Sequence, residues 1–213
     1  MIRLECFFDC SSPWSYLGVH NLQPMAKRLN VPVTWRPVLV GGVFNKVNSV
    51  VYANRANPPV PVKRDWSRKD MQDWARFSGI VINNPPACGH PVNSAMCMRI
   101  CLVLQDSSDT RMMAFAMAAY RALWKDGRNL GHEEVMRYVC AEVGEDPEPL
   151  LAAARTEPVK QKLWDNGEEL MTRGGFGVPT IFLNGDDMYW GSDRLPLIEH
   201  AIGRIQAGER APA

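Results

Sequence analysis

A short polar loop joins a predicted strand to a predicted helix near the start of the chain, and this junction constrains the fold most. Residues 2–8 (IRLECFF) form an apolar run typical of a strand, and residues 9–12 (DCSS) include types that favour helix N-caps. Pro13 suits the first helical turn, because its missing N–H leaves no hydrogen bond unmade there. The backbone N–H groups at a helix start are unpaired, so this loop can present a reactive side chain to them.

The order of the other elements predicts an α/β fold. The predicted strands are residues 2–8, 31–40, 178–183 and 188–190. The predicted helices are residues 13–29, 67–77, 93–104, 109–124, 133–143, 147–154, 157–172 and a last one that ends near residue 205 after a cap at Ser192 or Asp193. Strands at both ends with helices between them predict a thioredoxin-like sheet interrupted by an all-helical subdomain. We expect residues 1–65 and 174–213 to form the sheet domain and residues 66–173 to form the inserted helical subdomain.

Composition and charge exclude several classes of function. The net charge is +1 and the basic residues are scattered, so nothing favours a nucleic acid or an acidic membrane as partner. No apolar stretch is long enough to span a membrane. Arg3, Glu5 and Asp9 interrupt the apolar residues at the start of the chain, which is unlike a signal peptide. We therefore expect a soluble, cytoplasmic protein.

Serines stand where redox proteins of the thioredoxin type carry Cys-x-x-Cys. Ser12 and Ser15 occupy those two positions, so a dithiol/disulfide cycle is excluded there. None of the six cysteines forms a Cys-x-x-Cys pair. Cys97 and Cys101 have a helical i, i+4 spacing that could hold a metal, but no histidine supports it, so we expect small buried residues and no metal. Cys10 is either a packing residue of the loop or a reactive thiol, and packing is favoured.

Two further segments point to ligand binding. Pro179 begins a predicted strand directly after a glycine-rich turn, and we expect the Val178–Pro179 bond to be cis. The Val178 N–H and C=O would then be free to pair with an extended ligand. Residues 41–65 are irregular and rich in proline and asparagine, which favours a functional loop.

Four blocks of sequence, in the same order along the chain, resemble the family of 2-hydroxychromene-2-carboxylate isomerases and kappa-class glutathione transferases. The blocks are SSPWSYLG (Ser11–Gly18), NPPVPVK (Asn57–Lys63), GFGVPTIF (Gly175–Phe182) and WGSDRL (Trp190–Leu195). The resemblance covers nearly the whole chain. It implies a DsbA-like fold, in which a helical bundle is inserted into a thioredoxin domain, together with glutathione as cofactor and a homodimer.

The resemblance also implies roles for individual residues. Ser12 takes the position of the catalytic serine, whose hydroxyl donates to the sulfur of glutathione and stabilises the thiolate. Val178 would pair with the cysteinyl part of the tripeptide, and Ser192 and Asp193 would hold its γ-glutamyl end. The implied cofactor-binding residues are Ser12, Trp14, Asn57, Lys63, Val178, Pro179, Ser192, Asp193 and Arg194.

The substrate pocket is harder to assign, because residues 41–56 replace a shorter connection in other members of the family. Phe44, Asn45, Lys46 and Asn54 are the candidates in that stretch. Trp14 and Trp66 are further candidates for pocket walls.

The leading hypothesis is a glutathione-dependent isomerase that converts 2-hydroxychromene-2-carboxylate, or a related aromatic keto acid, to trans-o-hydroxybenzylidenepyruvate by reversible addition of the thiolate. A kappa-type glutathione transferase or peroxidase is the alternative within the family. A non-catalytic thioredoxin-like binding module is an alternative of another class, and a disulfide oxidoreductase using Cys10 is a fourth hypothesis.

Overall fold

A four-stranded mixed sheet forms the base of the molecule in the computed structural model, which describes residues 2–50 and 60–208. The strands are β1 (Leu4–Phe8), β2 (Val33–Pro37), β3 (Thr180–Leu183) and β4 (Asp187–Trp190). Their order is β2-β1-β3-β4, in which β1 pairs in parallel with β2 and antiparallel with β3, and β3 pairs antiparallel with β4. The apolar central strands β1 and β3 are buried, whereas the edge strand β4 is partly exposed.

Helices cover both faces of the sheet and extend beyond it. The helices of the described residues are α1 (Pro13–Leu29), α2 (Val40–Val47), α3 (Pro61–Phe77), α4 (Ala95–Gln105), α5 (Asp109–Trp124), α6 (Glu133–Glu142), α7 (Pro147–Ala154), α8 (Glu157–Thr172) and α9 (Leu195–Gln206). None of these helices is both long and apolar enough to cross a membrane.

Alternation along β1 divides the apolar interior in two, because successive side chains of a strand point to opposite faces. Cys6 and Phe8 join a large core that continues into α4, α5 and the other inserted helices. Phe7 faces a smaller cluster formed with side chains of α2, α8 and β3. The inserted helices therefore share one core with the sheet, and this shared core fixes their position over the β1–α1 loop.

The structure confirms the predicted α/β architecture and corrects several boundaries. The helix predicted from residue 67 begins at Pro61, because Pro61 takes a first-turn position rather than extending the loop. The stretch predicted as irregular contains α2 at its start. The predicted cap at Ser192 or Asp193 is wrong, since residues Ser192–Arg194 form a 3₁₀ turn and α9 begins at Leu195 without a side-chain cap.

Candidate active site

Ser12 caps the N-terminus of α1 and keeps one hydrogen-bonding function unused. Its backbone is extended, and its Oγ accepts a hydrogen bond from the Ser15 N–H at 3.2 Å. Pro13 follows at the first helical position. The hydroxyl hydrogen of Ser12 finds no acceptor among the described residues, and the side chain is only partly buried. Ser12 can therefore donate to a ligand atom at the positive end of α1.

Three side chains of the inserted helical region hold the loop that carries Ser12. The Tyr120 hydroxyl donates to the Asp9 carbonyl at 3.4 Å, and the Trp124 Nε1–H donates to the Cys10 carbonyl at 3.1 Å. The His90 Nε2 lies 3.0 Å from the Ser11 carbonyl, so this nitrogen carries the hydrogen. Each of three consecutive carbonyl groups thus has its own donor, and the inserted helices fix the conformation of the loop.

Asp9 links the loop to α2. The sequence predicts neither this helix nor the role of Asp9. Its carboxylate is fully buried and accepts from the Ser11 N–H at 2.8 Å and from the Val40 N–H at 2.9 Å. Burial raises the pKa of Asp9, and the hydrogen bonds from these two backbone groups oppose that effect. Both carboxylate oxygens are engaged, so Asp9 positions backbone rather than ligand.

Ser15, the second serine of the pair, points into the interior. It is fully buried, and its Oγ accepts from the Asp9 N–H at 3.3 Å. Ser15 therefore stabilises the loop from behind.

The start of β3 lies directly against α1. The Val178–Pro179 bond is cis, as predicted. A Cβ placed on Gly18 of α1 would lie 2.7 Å from Cγ of Pro179, so glycine permits the contact between the helix and the proline ring. Neither backbone polar group of Val178 has a hydrogen-bond partner in the part of the chain that is described. Val178 can thus pair with an extended peptide, which is the role predicted for it.

A narrow groove, which we call the α1 groove, runs past this point and has a volume of about 250 Å³. Trp14, Val178 and the segment 190–194 line it, together with Asp70 and Trp74 of α3. The Ser192 Oγ is buried and has no hydrogen-bond partner among the described residues, which is costly unless a ligand supplies one. Asp193 and Arg194 form an ion pair of 3.2 Å in the same groove. Sequence reasoning missed Asp70, although its i, i+4 spacing from Trp74 indicates one shared helix face.

A larger cavity, which we call the main cavity, opens on the other side of Trp14 and has a volume of about 700 Å³. Ser12 lies in its wall, opposite side chains from four separate segments of the chain. Aromatic walls come from Trp14, Phe44, Trp124 and Trp164. Amide groups come from Asn45, Asn84 and Asn93, and His90 lies in the same wall.

The remaining predicted residues lie elsewhere. Lys46 pairs with Glu168 at 2.5 Å and stacks 4.3 Å over the Trp164 ring, in a small pocket between α2 and α8 rather than in the main cavity. Lys63 is exposed in the first turn of α3, not in a loop, and lines neither the α1 groove nor the main cavity. Trp66 is 64% exposed on α3 and forms no wall of either space. Asn54 and Asn57 lie outside the described residues.

Cys10 is fully buried, and its thiol lies 3.8 Å from the Ala116 carbonyl. Burial raises the pKa of Cys10 well above the usual value of a thiol, and the neighbouring Cys101 adds to the effect. An inaccessible, protonated thiol is a poor nucleophile, which disfavours the disulfide oxidoreductase hypothesis.

Comparisons with known proteins agree with the fold. The profile of the DsbA-like thioredoxin domain matches residues 3–203. The chain is 27% identical to a 2-hydroxychromene-2-carboxylate isomerase of Pseudomonas putida, over 95% of both chains. It is 23% identical to the glutathione S-transferase kappa 1 of Rattus norvegicus, over 98% of this chain and 94% of the relative. A solved structure of a 2-hydroxychromene-2-carboxylate isomerase superposes with a TM-score of 0.83 at 26% identity, over 97% of both chains.

Proposed function

This chain belongs to the DsbA-like thioredoxin domain family, and from that premise we propose that it is a glutathione-dependent isomerase of an aromatic keto acid. Its relatives named as 2-hydroxychromene-2-carboxylate isomerases support this assignment, as does the solved structure of one of them. The proposed substrate is 2-hydroxychromene-2-carboxylate or a related acid, and the proposed product is trans-o-hydroxybenzylidenepyruvate.

The free donor of Ser12 is the observation that carries the proposal. The Ser12 Oγ accepts a hydrogen bond from the Ser15 N–H, and this bond fixes the position of the oxygen. The hydroxyl hydrogen of Ser12 remains available to a ligand. A sulfur atom placed there would receive a hydrogen bond at the positive end of α1, and both effects favour thiolate over thiol. Ser12 would thus act on the charge of the sulfur, not as an acyl nucleophile.

The α1 groove fits the rest of a glutathione molecule. Val178 offers an unpaired N–H and C=O to the cysteinyl segment, as the neighbouring Pro179 packs on Gly18. At the far end of the groove, the unpartnered Ser192 Oγ can donate to the γ-glutamyl carboxylate. Asp193 and Asp70 can accept from the γ-glutamyl ammonium, and Arg194 provides a cation beside them.

Glutathione bound in this way would supply a thiolate that adds to a conjugated acid and leaves again after rotation about the new single bond. The residues of the chain orient the reactants. Trp14 borders both the α1 groove and the main cavity, so it can hold an aromatic ring beside the sulfur. Asn45, Asn84 and Asn93 can donate to a carboxylate, and we propose them as its partners in place of Lys46, which is paired with Glu168. Asn57 remains a proposed contact of the cofactor or of the substrate carboxylate, whereas Lys63 lines neither space and is not proposed as a contact.

A kappa-type glutathione transferase or peroxidase is the second candidate, since relatives of that name match nearly the whole chain. Both candidates use the α1 groove in the same way. They differ in what the main cavity accepts. A binding module without catalysis would need no donor aimed at the sulfur, so the free hydroxyl of Ser12 favours an enzyme.

Two measurements test the proposed function. Millimolar glutathione should raise the melting temperature, because a ligand that binds only the folded state stabilises it. The protein should then consume 2-hydroxychromene-2-carboxylate in the presence of glutathione and not without it. Conjugation of a haloarene without turnover of the chromene acid would show the transferase instead. No stabilisation by glutathione would contradict both enzymes.

We also propose that the protein forms a homodimer. Val62, Trp66 and Phe77 of α3 are 79%, 64% and 82% exposed, so this helix presents large apolar side chains to solvent. Light scattering should give twice the mass of the chain, and Trp66→Glu should shift the mass towards that of the monomer. A monomeric wild-type protein at micromolar concentration would contradict the proposal.

A further inference from the structure

Three cysteine side chains meet beneath the Ser12 loop. Cys10 comes from the loop itself, and Cys97 and Cys101 lie one turn apart on α4. Their sulfur atoms all lie within 4.8 Å of one another, and all three residues are fully buried. The sequence shows the pair on the helix but not the third member, because 87 positions separate Cys10 from Cys97 and only the fold brings them together. We call this group the thiol cluster.

The thiol cluster lies just behind the wall of the main cavity. Asp9 and Ser11, which flank Cys10, line that cavity, and so does Ser94, which precedes α4. The Ser94 hydroxyl donates to the Ser11 Oγ over 3.4 Å, at the long end of hydrogen-bond distances. A small solute in the main cavity would reach the sulfur atoms by separating these two hydroxyls.

We propose that the thiol cluster binds a trivalent thiophilic ion of the arsenic(III) class, through the three sulfur atoms of Cys10, Cys97 and Cys101. Arsenous acid exchanges its three hydroxyl groups for the three thiols. Three As–O bonds and three S–H bonds break, three As–S bonds form, and three water molecules leave. The exchange needs no oxidant or reductant and releases no net charge.

Charge favours a trivalent ion at this place. Three thiolates neutralise an ion of charge +3, whereas a monovalent or divalent ion leaves negative charge in a fully buried site, which is costly. Asp9 is a poor fourth ligand for tetrahedral zinc, because Ser11 N–H and Val40 N–H occupy its two oxygens.

The spacing of the three sulfur atoms suits one shared ion. Three sulfur atoms bonded at about 2.3 Å to one pyramidal ion lie roughly 3.5 Å apart. A contraction of at most about 1.3 Å from the largest spacing would suffice.

Arsenite is the probe for the test, applied to the full chain reduced with a phosphine and free of glutathione, which would compete for the ion. Native mass spectrometry should show one arsenic per chain with the loss of three hydrogens. X-ray absorption should show three sulfur neighbours, and the melting temperature should rise because the folded state holds the ion. No arsenic on the folded protein, two sulfur neighbours, or a lower melting temperature would overturn the proposal.

Cysteine variants locate the site. Cys97→Ser should lose the third sulfur and weaken arsenite binding at least about tenfold. Cys101→Ala provides a second variant should Cys97→Ser fold poorly. Cys140→Ser, another fully buried cysteine, and Cys88→Ser, a half-buried one, should bind arsenite as the wild type does. Unchanged binding in Cys97→Ser, or its loss in Cys88→Ser, would contradict the assignment. None of these readouts uses glutathione or turnover, so the result stands apart from the proposed function.

Discussion

The α1 groove and the main cavity share one wall, Trp14, yet they are built in different ways. The groove is made from Trp14 in the first turn of α1, Val178 and residues 190–194, with Asp70 and Trp74 of α3, so most of it comes from short stretches of chain that carry recognisable motifs. The main cavity is assembled from five separate segments, which meet only because the inserted helices pack on the sheet. Local motifs thus determine a groove for a ligand of fixed chemistry, and tertiary packing determines a cavity whose shape can differ among relatives.

The two spaces also differ in their unsatisfied polar groups. Within residues 2–50 and 60–208, the Ser192 Oγ and the backbone N–H and C=O of Val178 in the groove have no hydrogen-bond partner, so a ligand can supply one. In the main cavity, the Asp9 carboxylate and the Ser11 carbonyl are already satisfied within the protein, and at the Ser12 loop only the Ser12 hydroxyl hydrogen lacks an acceptor among the described residues. Substitutions in the groove should therefore change the affinity for glutathione, and substitutions in the main cavity should change the KM for the second substrate.

Ser12→Ala should have the largest effect. A hydrogen bond to a charged group contributes roughly 1.5–3 kcal/mol, so turnover should fall about tenfold to a hundredfold while glutathione binding changes little. Steady-state kinetics and calorimetric titration separate the two effects. Loss of the N-cap also lowers the free energy of unfolding by about 1 kcal/mol.

Ser108→Ala is the matched control for that variant. Ser108 caps α5 by accepting from the Thr110 and Arg111 N–H groups, far along the chain from the groove. It should lose a similar free energy of unfolding and keep full turnover. Equal loss of turnover in both variants would assign the effect of Ser12 to stability alone.

Gly18→Ala should come next, because it disturbs the groove without removing a polar group. The new Cβ would approach the Pro179 ring to 2.7 Å, and overpacking of this kind costs about 1–2 kcal/mol. Displacement of Val178 should weaken glutathione binding about fivefold to thirtyfold. Gly203→Ala in α9 is the control, since no atom lies within 4 Å of its Cβ position. Unaltered glutathione affinity in Gly18→Ala would show that the contact between Gly18 and Pro179 does not shape the ligand site.

Ser192→Ala should change binding and stability in opposite directions. Removal of a buried, unpartnered hydroxyl should leave the free energy of unfolding unchanged or slightly higher. Glutathione affinity should fall about threefold to tenfold, because the γ-glutamyl end loses a donor. Denaturant unfolding measures the free energy of unfolding, and calorimetric titration measures the glutathione affinity. A variant that loses stability and keeps its affinity would show that the hydroxyl serves the fold instead.

Asn45→Ala should have the smallest effect, confined to the main cavity. Loss of one amide donor costs about 0.5–1.5 kcal/mol, so the KM for the aromatic acid should rise a few fold. Glutathione affinity should stay within about twofold of the wild type. A larger change in glutathione affinity than in the KM for the acid would break the division between the two spaces.

The sequence predicts much of the architecture and of the groove. The predicted bounds of α5, α7 and α8 agree with the structure, because Ser108, Asp146 and prolines mark their starts. Ser12 is the helix cap that the local pattern predicts, and Val178 stands at the predicted cis-proline start of β3, whereas the cap predicted at Ser192 is absent. The role of Asp9 is invisible in the sequence, since its partner Val40 is 31 positions away.

The main cavity could not be predicted for the same physical reason. His90, Trp124 and Trp164 lie on elements whose arrangement depends on the shared core, not on local propensity. The two glycines of α2 lower its helix propensity, so packing against α8 decides its conformation. Lys46 is predicted to line the substrate pocket because of its place in the loop sequence. Its ammonium group is instead paired with Glu168, which no local pattern indicates.

The ionisation of the cofactor thiol tests the central claim most directly. Ultraviolet absorbance of the thiolate, followed against pH in the glutathione complex, gives the thiol pKa. We expect a pKa well below the ordinary value of about 8.5 in the wild type and about one to two pKa units higher in Ser12→Ala. Ser12→Thr, which retains a hydroxyl, should keep the low value. The same pKa in the wild type and in Ser12→Ala would contradict the account.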